Sequence, residues 1–266
     1  MHQRYRTKGI FLKKRNQGEA DRIFTVFTEQ FGKIEVAGRA IRKITSKLRS
    51  GADVFYLSEL EFIQGKHYKT LTDAVVIDRF RDIRENHQKT EAARKITGIL
   101  DSLITKEEKD DKVWQLLLES FGFIENSESE KILPDFGGIT AGKESCSWQT
   151  GNCKSKIVYY FLWNLLSVSG YSPELYKCSV CASKLLPETF FFVPQEGGVV
   201  CWQCFSNNDL KSGLWFNIHT DTVKILRVYL KEGWDIAGKL RIATDIRQNL
   251  SEISDNYCDF LRESAP

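Results

Sequence analysis

Short runs of β-branched and aromatic residues, each closed by glycine or a polar residue, fill the first third of the chain and predict β-strands. The runs cover residues 9–14, 21–28, 33–38, 54–65 and 67–77. Between the first two, Asn16–Asp21 has the composition of a turn, with Gly18 free to adopt a positive φ. Five short strands in about seventy residues fit a small closed or partly closed barrel, of which the oligonucleotide/oligosaccharide-binding (OB) barrel is one example.

From about residue 78 the apolar residues recur every three or four positions, which predicts helices instead of strands. The predicted helices cover residues 80–103, 111–124, 156–170 and 246–261. The third is apolar on nearly every side, so we expect it to be the buried central helix of a bundle. Residues 126–153, rich in Ser, Gly and Thr, are predicted to form a long flexible loop.

Two C-x-x-C pairs are the strongest chemical signal in the sequence. Cys178 and Cys181 are followed, after nineteen residues, by Cys201 and Cys204. This spacing is typical of a zinc ribbon or knuckle, in which two tight turns supply four thiolates to a tetrahedral Zn²⁺. The segment between the pairs predicts a hairpin turning at Gly197–Gly198.

A four-sulfur site leaves no coordination position for a substrate, so one structural zinc is the favoured interpretation. A degenerate site without metal and a redox or iron–sulfur role remain as alternatives. The other three cysteines, Cys146, Cys153 and Cys258, have no partner at ligand spacing and are interpreted as structural or incidental.

The composition is that of an ordinary globular protein, with 42% hydrophobic and 27% charged residues among 266. This excludes collagen, a coiled-coil rod and wholesale disorder. No apolar run reaches the roughly 18 residues of a membrane span, and the basic N-terminus lacks the apolar stretch of a signal peptide. We therefore expect a cytoplasmic protein without a membrane partner.

Positive charge is concentrated at the N-terminal end. Residues 1–80 contain 16 Lys and Arg against 9 Asp and Glu, whereas the remainder is slightly acidic. The densest segment, residues 38–49, has five basic residues and no acidic one: Arg39, Arg42, Lys43, Lys47 and Arg49. Such a domain favours a polyanionic partner, while a merely solubilising face is the alternative.

No arrangement of residues typical of catalysis is present. The four histidines are scattered, and the chain has no phosphate-binding loop or nucleophile motif. Glu19 and Asp21 lie close together, but hydrogen bonding at a turn is favoured over acid–base work for them. The sequence thus predicts a protein that is not an enzyme.

Local motifs in two regions resemble the RecO family of bacterial recombination mediators. The N-terminal matches are Gly9, Glu19, Asp21, Thr28, Gly32, Gly38, Arg39, Arg42, Lys43 and Ser46. The downstream matches are the segments GYSPELYKCSVC, at residues 170–181, and FFVPQEGGVVCWQC, at residues 191–204. Their order, a basic five-strand unit followed by helices and a zinc segment, spans nearly the whole chain.

The resemblance implies an α+β protein in which an N-terminal OB-type β-barrel, residues 1–78, binds DNA. An α-helical domain, residues 79–266, follows and contains an inserted four-cysteine zinc finger at residues 174–212. RecO-like proteins bind single- and double-stranded DNA and anneal complementary strands, including strands coated by single-strand-binding protein (SSB). They also work with RecR to load RecA, and they contact the SSB C-terminal tail.

For this chain, the resemblance and the charge pattern together suggest nine DNA-binding residues and a cytoplasmic, nucleoid-associated protein. The candidates are Arg39, Arg42, Lys43, Lys47, Arg49, Lys13, Lys14, Arg15 and Lys33. Five aromatic residues in the same segment are expected to lie mostly in the barrel core: Tyr5, Phe11, Phe24, Phe27 and Phe31. Two rival functions remain: a zinc-containing scaffold that binds proteins and not DNA, and a nucleic-acid-modifying enzyme.

Overall fold

A computed structural model describes residues 3–65, 68–105, 107–127, 156–185, 190–207 and 209–263. The chain divides into two compact units, residues 1–129 and 130–266. The predicted loop 126–153 lies outside the described residues beyond residue 127, and so do Cys146 and Cys153. The domain limits predicted above, 1–78, 79–266 and 174–212, stay predictions.

The first unit begins with five strands that close into a barrel. They are β1 (Arg4–Gln17), β2 (Asp21–Thr28), β3 (Gly32–Gly38), β4 (Leu57–Gln64) and β5 (Lys69–Asp78). The order around the barrel is β1-β2-β3-β5-β4, and β1 is long enough to pair with both β2 and β4. A short parallel pairing of β3 with β5 completes the circle. The predicted OB-type barrel is confirmed.

Alternation along the strands places aromatic rings inside this barrel. Phe11 and Phe24 are fully buried and meet edge to face at 5.1 Å. Tyr5 and Phe31 are partly buried and each lies 5.5 Å from the ring of Phe62. The rings named in the sequence analysis therefore serve mainly to fill the core, as expected for so small a barrel.

Three helices follow the barrel within the first unit: α1 (Arg81–Glu85), α2 (His87–Leu103) and α3 (Asp111–Asn126). Both longer helices begin at a side-chain cap. Asn86 accepts hydrogen bonds from two backbone N–H groups of α2, and Asp110 does the same for α3. Phe121 of α3 packs against Phe80 at 5.3 Å and against Phe55 at 6.0 Å, which joins the helices to the barrel's connections.

The second unit is built on α4 (Lys156–Val168), the helix predicted to be central. Nine of its residues are buried, as its apolar composition indicates. The Trp163 indole N–H donates to the Ser254 hydroxyl at 2.9 Å, and its ring stacks on Tyr257 at 5.6 Å. Three further helices are α6 (Thr220–Lys231), α7 (Trp234–Ala237) and α8 (Thr244–Glu263).

A small three-stranded sheet completes the second unit. It consists of β6 (Phe190–Val193), β7 (Gly198–Cys201) and β8 (Phe216–Ile218), in the order β7-β6-β8, with α5 (Trp202–Asn207) after β7. The predicted hairpin is confirmed, whereas β8, α5, α6 and α7 were not predicted. None of the described helices has the length and apolarity needed to cross a membrane.

Candidate metal centre and nucleic-acid interface

The four cysteines of the two C-x-x-C pairs meet at one point. The sulfur atoms of Cys178, Cys181, Cys201 and Cys204 all lie within 4.8 Å of one another, and those of Cys181 and Cys201 are 3.9 Å apart. Four thiolates about 2.3 Å from a tetrahedral zinc have sulfurs about 3.8 Å apart, so the spacing fits a zinc ion. The number and type of donors match a closed structural site.

Backbone hydrogen bonds shape each half of this thiol cluster. The N–H of Cys178 donates to Ser183 at 2.9 Å, and Ala182 takes the left-handed conformation that turns the chain between them. Across the cluster, the N–H of Cys201 donates to the sulfur of Cys178 at 3.4 Å. Such a bond stabilises thiolate charge, which a metal ligand carries.

The surroundings favour unequal ionisation of the thiols. The hydroxyl and backbone of Ser183 hydrogen bond to Cys181 and lower its pKa to about 6. Burial raises the pKa of Cys204, and the neighbouring thiols raise it further. Four thiolates therefore coexist only if a cation balances them, which is the role that a divalent metal fills.

Strand β6 connects the thiol cluster to the helices, because its side chains alternate in direction. Phe191 packs in the same buried cluster as Cys178 and stacks on Phe205 with ring centroids 3.7 Å apart. Phe192 points the other way, to Trp163 at 6.2 Å and Tyr257 at 5.2 Å. The thiol cluster and the helical core thus share one strand.

The basic segment forms the connection between β3 and β4. Its five basic side chains are all exposed, and none of them forms an ion pair with a residue that the structure describes. They are Arg39, Arg42, Lys43, Lys47 and Arg49. We call residues 39–50 the basic loop. Its cations are available to an external anion.

The basic loop is fixed at its start by the turn between β1 and β2. The Asp21 carboxylate accepts a hydrogen bond from the N–H of Ala40 at 2.7 Å, where φ is +51°. Arg42 donates through its backbone to Ala20 at 3.0 Å and through its guanidinium to the Gly18 carbonyl at 3.2 Å. The turn interpretation of Asp21 is therefore correct.

Close packing fixes both ends of the loop. Ile41 is 1% exposed in the barrel core, and Leu48 packs against the same core. At Gly51 an added Cβ would lie 1.8 Å from the carbonyl oxygen of Ala74, so only glycine fits there. The exposed cations are carried by a segment with two anchored ends.

The other four candidate cations lie elsewhere on the barrel, and each is paired with an acid. Lys13 and Lys33 both bind Asp101 of α2, at 2.6 and 3.2 Å. Lys14 binds Asp53 at 2.5 Å, and Arg15 lies 3.4 Å from Glu35. Among the described residues, the nine candidates thus form two groups. Five in the basic loop have no acidic partner, whereas four are paired with an acid, and a paired cation attracts a phosphate less.

A groove of about 540 Å³ lies beside the start of the basic loop. Its lining residues are Gln17, Gly18, Asp21, Ala37, Arg39, Gly65, Tyr68 and Thr70. These come from the β1–β2 turn, the β4–β5 turn and the ends of β3 and β5, where OB barrels bind oligonucleotides and oligosaccharides. Tyr68 is 43% exposed and offers a ring for stacking.

Of the residues that line this groove, the sequence analysis assigned DNA binding only to Arg39. Most of the other lining residues carry no chemical signature, and only the closure of the barrel brings Gly18 and Tyr68 together. The groove could have been found from position alone, because the β1–β2 and β4–β5 turns of an OB barrel flank its binding face. The exposed Ile44 in the basic loop was likewise overlooked.

Comparison with known proteins places both ends of the chain in one family. Residues 1–80 match the family model described as "Recombination protein O N terminal". Residues 149–265 match "Recombination protein O C terminal". The two matches contain the basic loop and all four clustered cysteines.

Curated relatives match over almost the whole length. A protein of Dehalococcoides mccartyi named "DNA repair protein RecO" is 30% identical over 94% of this chain and 86% of its own. Proteins with the same name from Desulforamulus reducens and Acetivibrio thermocellus are 26% and 25% identical. These matches cover 97% and 95% of this chain, and 90% and 89% of the respective relatives.

Proposed function

The chain belongs to the RecO family, and from this premise we propose that it is a DNA repair and recombination mediator that binds DNA through its barrel. It binds single- and double-stranded DNA and anneals complementary strands, including strands coated by SSB. With RecR it helps to load RecA. It carries out no covalent chemistry and acts in the cytoplasm, on the nucleoid.

The observation that carries this proposal is the basic loop, which begins at the barrel groove and whose five cations have no acidic partner among the described residues. Arg39 lines the groove, and Arg42 is bonded to Gly18 in its wall. A strand that stacks a base on Tyr68 would have cations from the basic loop close to its phosphates. Cations that bridge two strands reduce their mutual repulsion, so annealing then needs only base pairing.

One structural zinc is proposed for the thiol cluster, held by Cys178, Cys181, Cys201 and Cys204. When bound, the ion cross-links the two C-x-x-C turns and neutralises their thiolate charge. No substrate position remains on a four-sulfur site, which supports a purely structural role. RecR and the SSB tail are proposed as partners from the family alone, without assigned surfaces.

The test is single-strand binding by the full-length protein as a function of salt. Five phosphate contacts to a single strand give a log–log slope of about −3.5. The triple substitution of Arg39, Arg42 and Lys43 by alanine removes three of them. We expect the slope to fall by about 2 and the affinity at 0.1 M salt to drop about 100-fold, on any DNA sequence.

A matched variant removes three paired cations instead: Lys13, Lys14 and Arg15, all replaced by alanine. It has the same net charge as the first triple variant, but its lost cations are already bound to Asp101, Asp53 and Glu35. We expect this variant to lose much less affinity for single-stranded DNA than the first triple variant. Equal losses would show that only net charge matters, and a flat salt response with protein capture would favour the scaffold function.

A further inference from the structure

Ile44, at the tip of the basic loop, exposes 89% of its surface, the largest fraction among the large hydrophobic side chains that the structure describes. An isoleucine left in water forgoes the roughly 1.5–3 kcal/mol that burying its side chain would yield. Isolated exposed apolar residues are common on proteins. This one differs because of its fixed backbone and its charged neighbours.

The backbone on both sides of Ile44 is ordered by two consecutive turns. The N–H of Lys43 donates to the Ala40 carbonyl at 3.1 Å, and the N–H of Ser46 donates to the Lys43 carbonyl at 3.1 Å. Isoleucine is β-branched and has few side-chain rotamers. The apolar tip is therefore presented at a defined position and loses little conformational freedom when a ligand binds.

The charged residues next to Ile44 in the sequence are all basic. Arg42 and Lys43 precede it and Lys47 follows, and residues 39–52 contain no acid. A ligand suited to this tip has negative charge and an apolar face a few ångströms apart. Single-stranded DNA has this combination in its phosphates and base faces, and so does an anionic membrane. The groove at the root of the loop favours DNA, since Arg42 is bonded to its wall residue Gly18.

We propose that Ile44 inserts against the bases of single-stranded DNA bound along the basic loop and holds neighbouring bases apart. The inference rests on the proposed function and adds to it the residue that unstacks the strand. Apolar side chains act as wedges between base steps in other DNA-binding proteins. Unstacked bases whose pairing edges are free can form base pairs with a complementary strand.

The test compares the full-length protein with its Ile44→Thr variant, which keeps the branched shape but replaces apolar atoms by a hydroxyl. The probe is an oligonucleotide carrying 2-aminopurine next to adenine, whose fluorescence rises when the two bases unstack. We expect wild-type binding to raise the fluorescence and Ile44→Thr to abolish most of that rise. Affinity should fall about fivefold, with the salt slope unchanged because no charge is altered.

Two variants serve as controls. Ile44→Val keeps an apolar tip and should retain most of the fluorescence rise. Ile77→Thr makes the same chemical change at another exposed isoleucine of the barrel, 51% exposed on β5, and should behave as wild type. Both positions are exposed, so folding should survive, which a thermal melt checks.

Three outcomes would overturn the inference. The first is an unchanged fluorescence rise in Ile44→Thr, and the second is an equal loss in Ile77→Thr. The third is unchanged DNA binding together with lost affinity for vesicles of anionic phospholipid, which would assign the tip to a membrane. In each case wild-type DNA binding would persist and the proposed function would stand. If wild type bound no single-stranded DNA, the proposed function would fail as well.

Discussion

Asp21 shows how one acidic residue can support a basic surface. Its carboxylate accepts a hydrogen bond from the N–H of Ala40, the residue after Arg39, whose positive φ turns the chain into the basic loop. A positive φ is unfavourable for alanine, so the bond offsets local strain. On charge alone Asp21 would repel DNA, whereas on geometry it holds the cations in place.

The negative charge of Asp21 and its hydrogen bond to Ala40 predict opposite effects of Asp21→Ala on DNA binding. We expect the hydrogen bond to dominate. Loss of the hydrogen bond should lower the free energy of unfolding by about 1–2 kcal/mol and weaken single-strand binding, despite the removal of a negative charge. Glu19→Ala removes the same charge two residues away, where the side chain is exposed. It should strengthen binding slightly. Fluorescence anisotropy and urea unfolding measure both quantities, and tighter binding by Asp21→Ala would contradict the geometric role.

The thiols make a second prediction at the scale of single residues. Cys201→Ser should reduce the zinc content from one per chain to nearly none, because the hard hydroxyl is a poor substitute for a thiolate. Cys258→Ser alters a buried thiol on α8, outside the cluster, and should keep one zinc. Elemental analysis of the purified variants measures their zinc content. Retention of zinc by Cys201→Ser would mean that the cluster does not hold the metal.

At the scale of elements, Asp101 connects α2 to two strands of the barrel. Asp101 binds Lys13 of β1 and Lys33 of β3, and Lys33 also donates to the Asp101 carbonyl at 2.6 Å. Burial raises the pKa of Asp101, but the hydrogen bond from Lys13 and the charges of both lysines outweigh it, so the pKa lies below its ordinary value. Ionised Asp101 thus stabilises the folded state.

The sign of this shift predicts an acid dependence. A lowered carboxyl pKa adds stability above about pH 4, where the unfolded side chain ionises, and this stability is lost as the pH falls through the folded pKa. Asp101→Asn should therefore lower the free energy of unfolding by about 1–2 kcal/mol at pH 7, and this loss should shrink as the pH falls towards 3.

Urea unfolding at the two pH values tests this acid dependence. Glu35→Gln breaks only the exposed pair with Arg15 and should cost no more than a few tenths of a kcal/mol at pH 7. If Asp101→Asn lowered the free energy of unfolding as much at pH 3 as at pH 7, the charge of Asp101 would not be the source of the loss.

Local patterns explain which elements could be predicted. The five barrel strands could be predicted from runs of β-branched and aromatic residues closed by glycine or a polar residue, and the amphipathic helices from apolar residues that recur every three or four positions. The twelve-residue α6 was nevertheless not predicted. β8, with only three residues in Phe216–Ile218, is too short to show a period. The four thiols could be predicted from spacing, but the pairing of Lys13 with Asp101 joins residues 88 positions apart, and no local signal encodes such a contact.

At the scale of the whole molecule, the proposed DNA-binding surface and the proposed metal site lie in different units. The basic loop and the groove belong to residues 1–129, and the thiol cluster belongs to residues 130–266. The positive excess is likewise confined to residues 1–80. If DNA binding depends on the first unit alone, loss of the metal from the second should leave it unaffected.

This division predicts the effect of zinc removal by a chelator. The stripped protein should lose stability in its second unit, because metal binding and folding of a small cysteine module are coupled. Its affinity for single-stranded DNA should stay within about twofold of the native value, since the phosphate contacts are unchanged. Circular dichroism and anisotropy on the same sample measure both. A parallel loss of DNA binding with an intact barrel would place DNA contacts in the second unit.

The anchoring of the basic loop also has a use in protein engineering. Ile41 and Gly51 fix the two ends of the loop to the barrel, while the residues between Lys43 and Lys47 are not buried. A foreign peptide grafted there would be displayed beside the groove without disturbing the core. The barrel is therefore a scaffold whose recognition segment can be exchanged, and libraries built in this loop would offer binders for ligands unrelated to DNA.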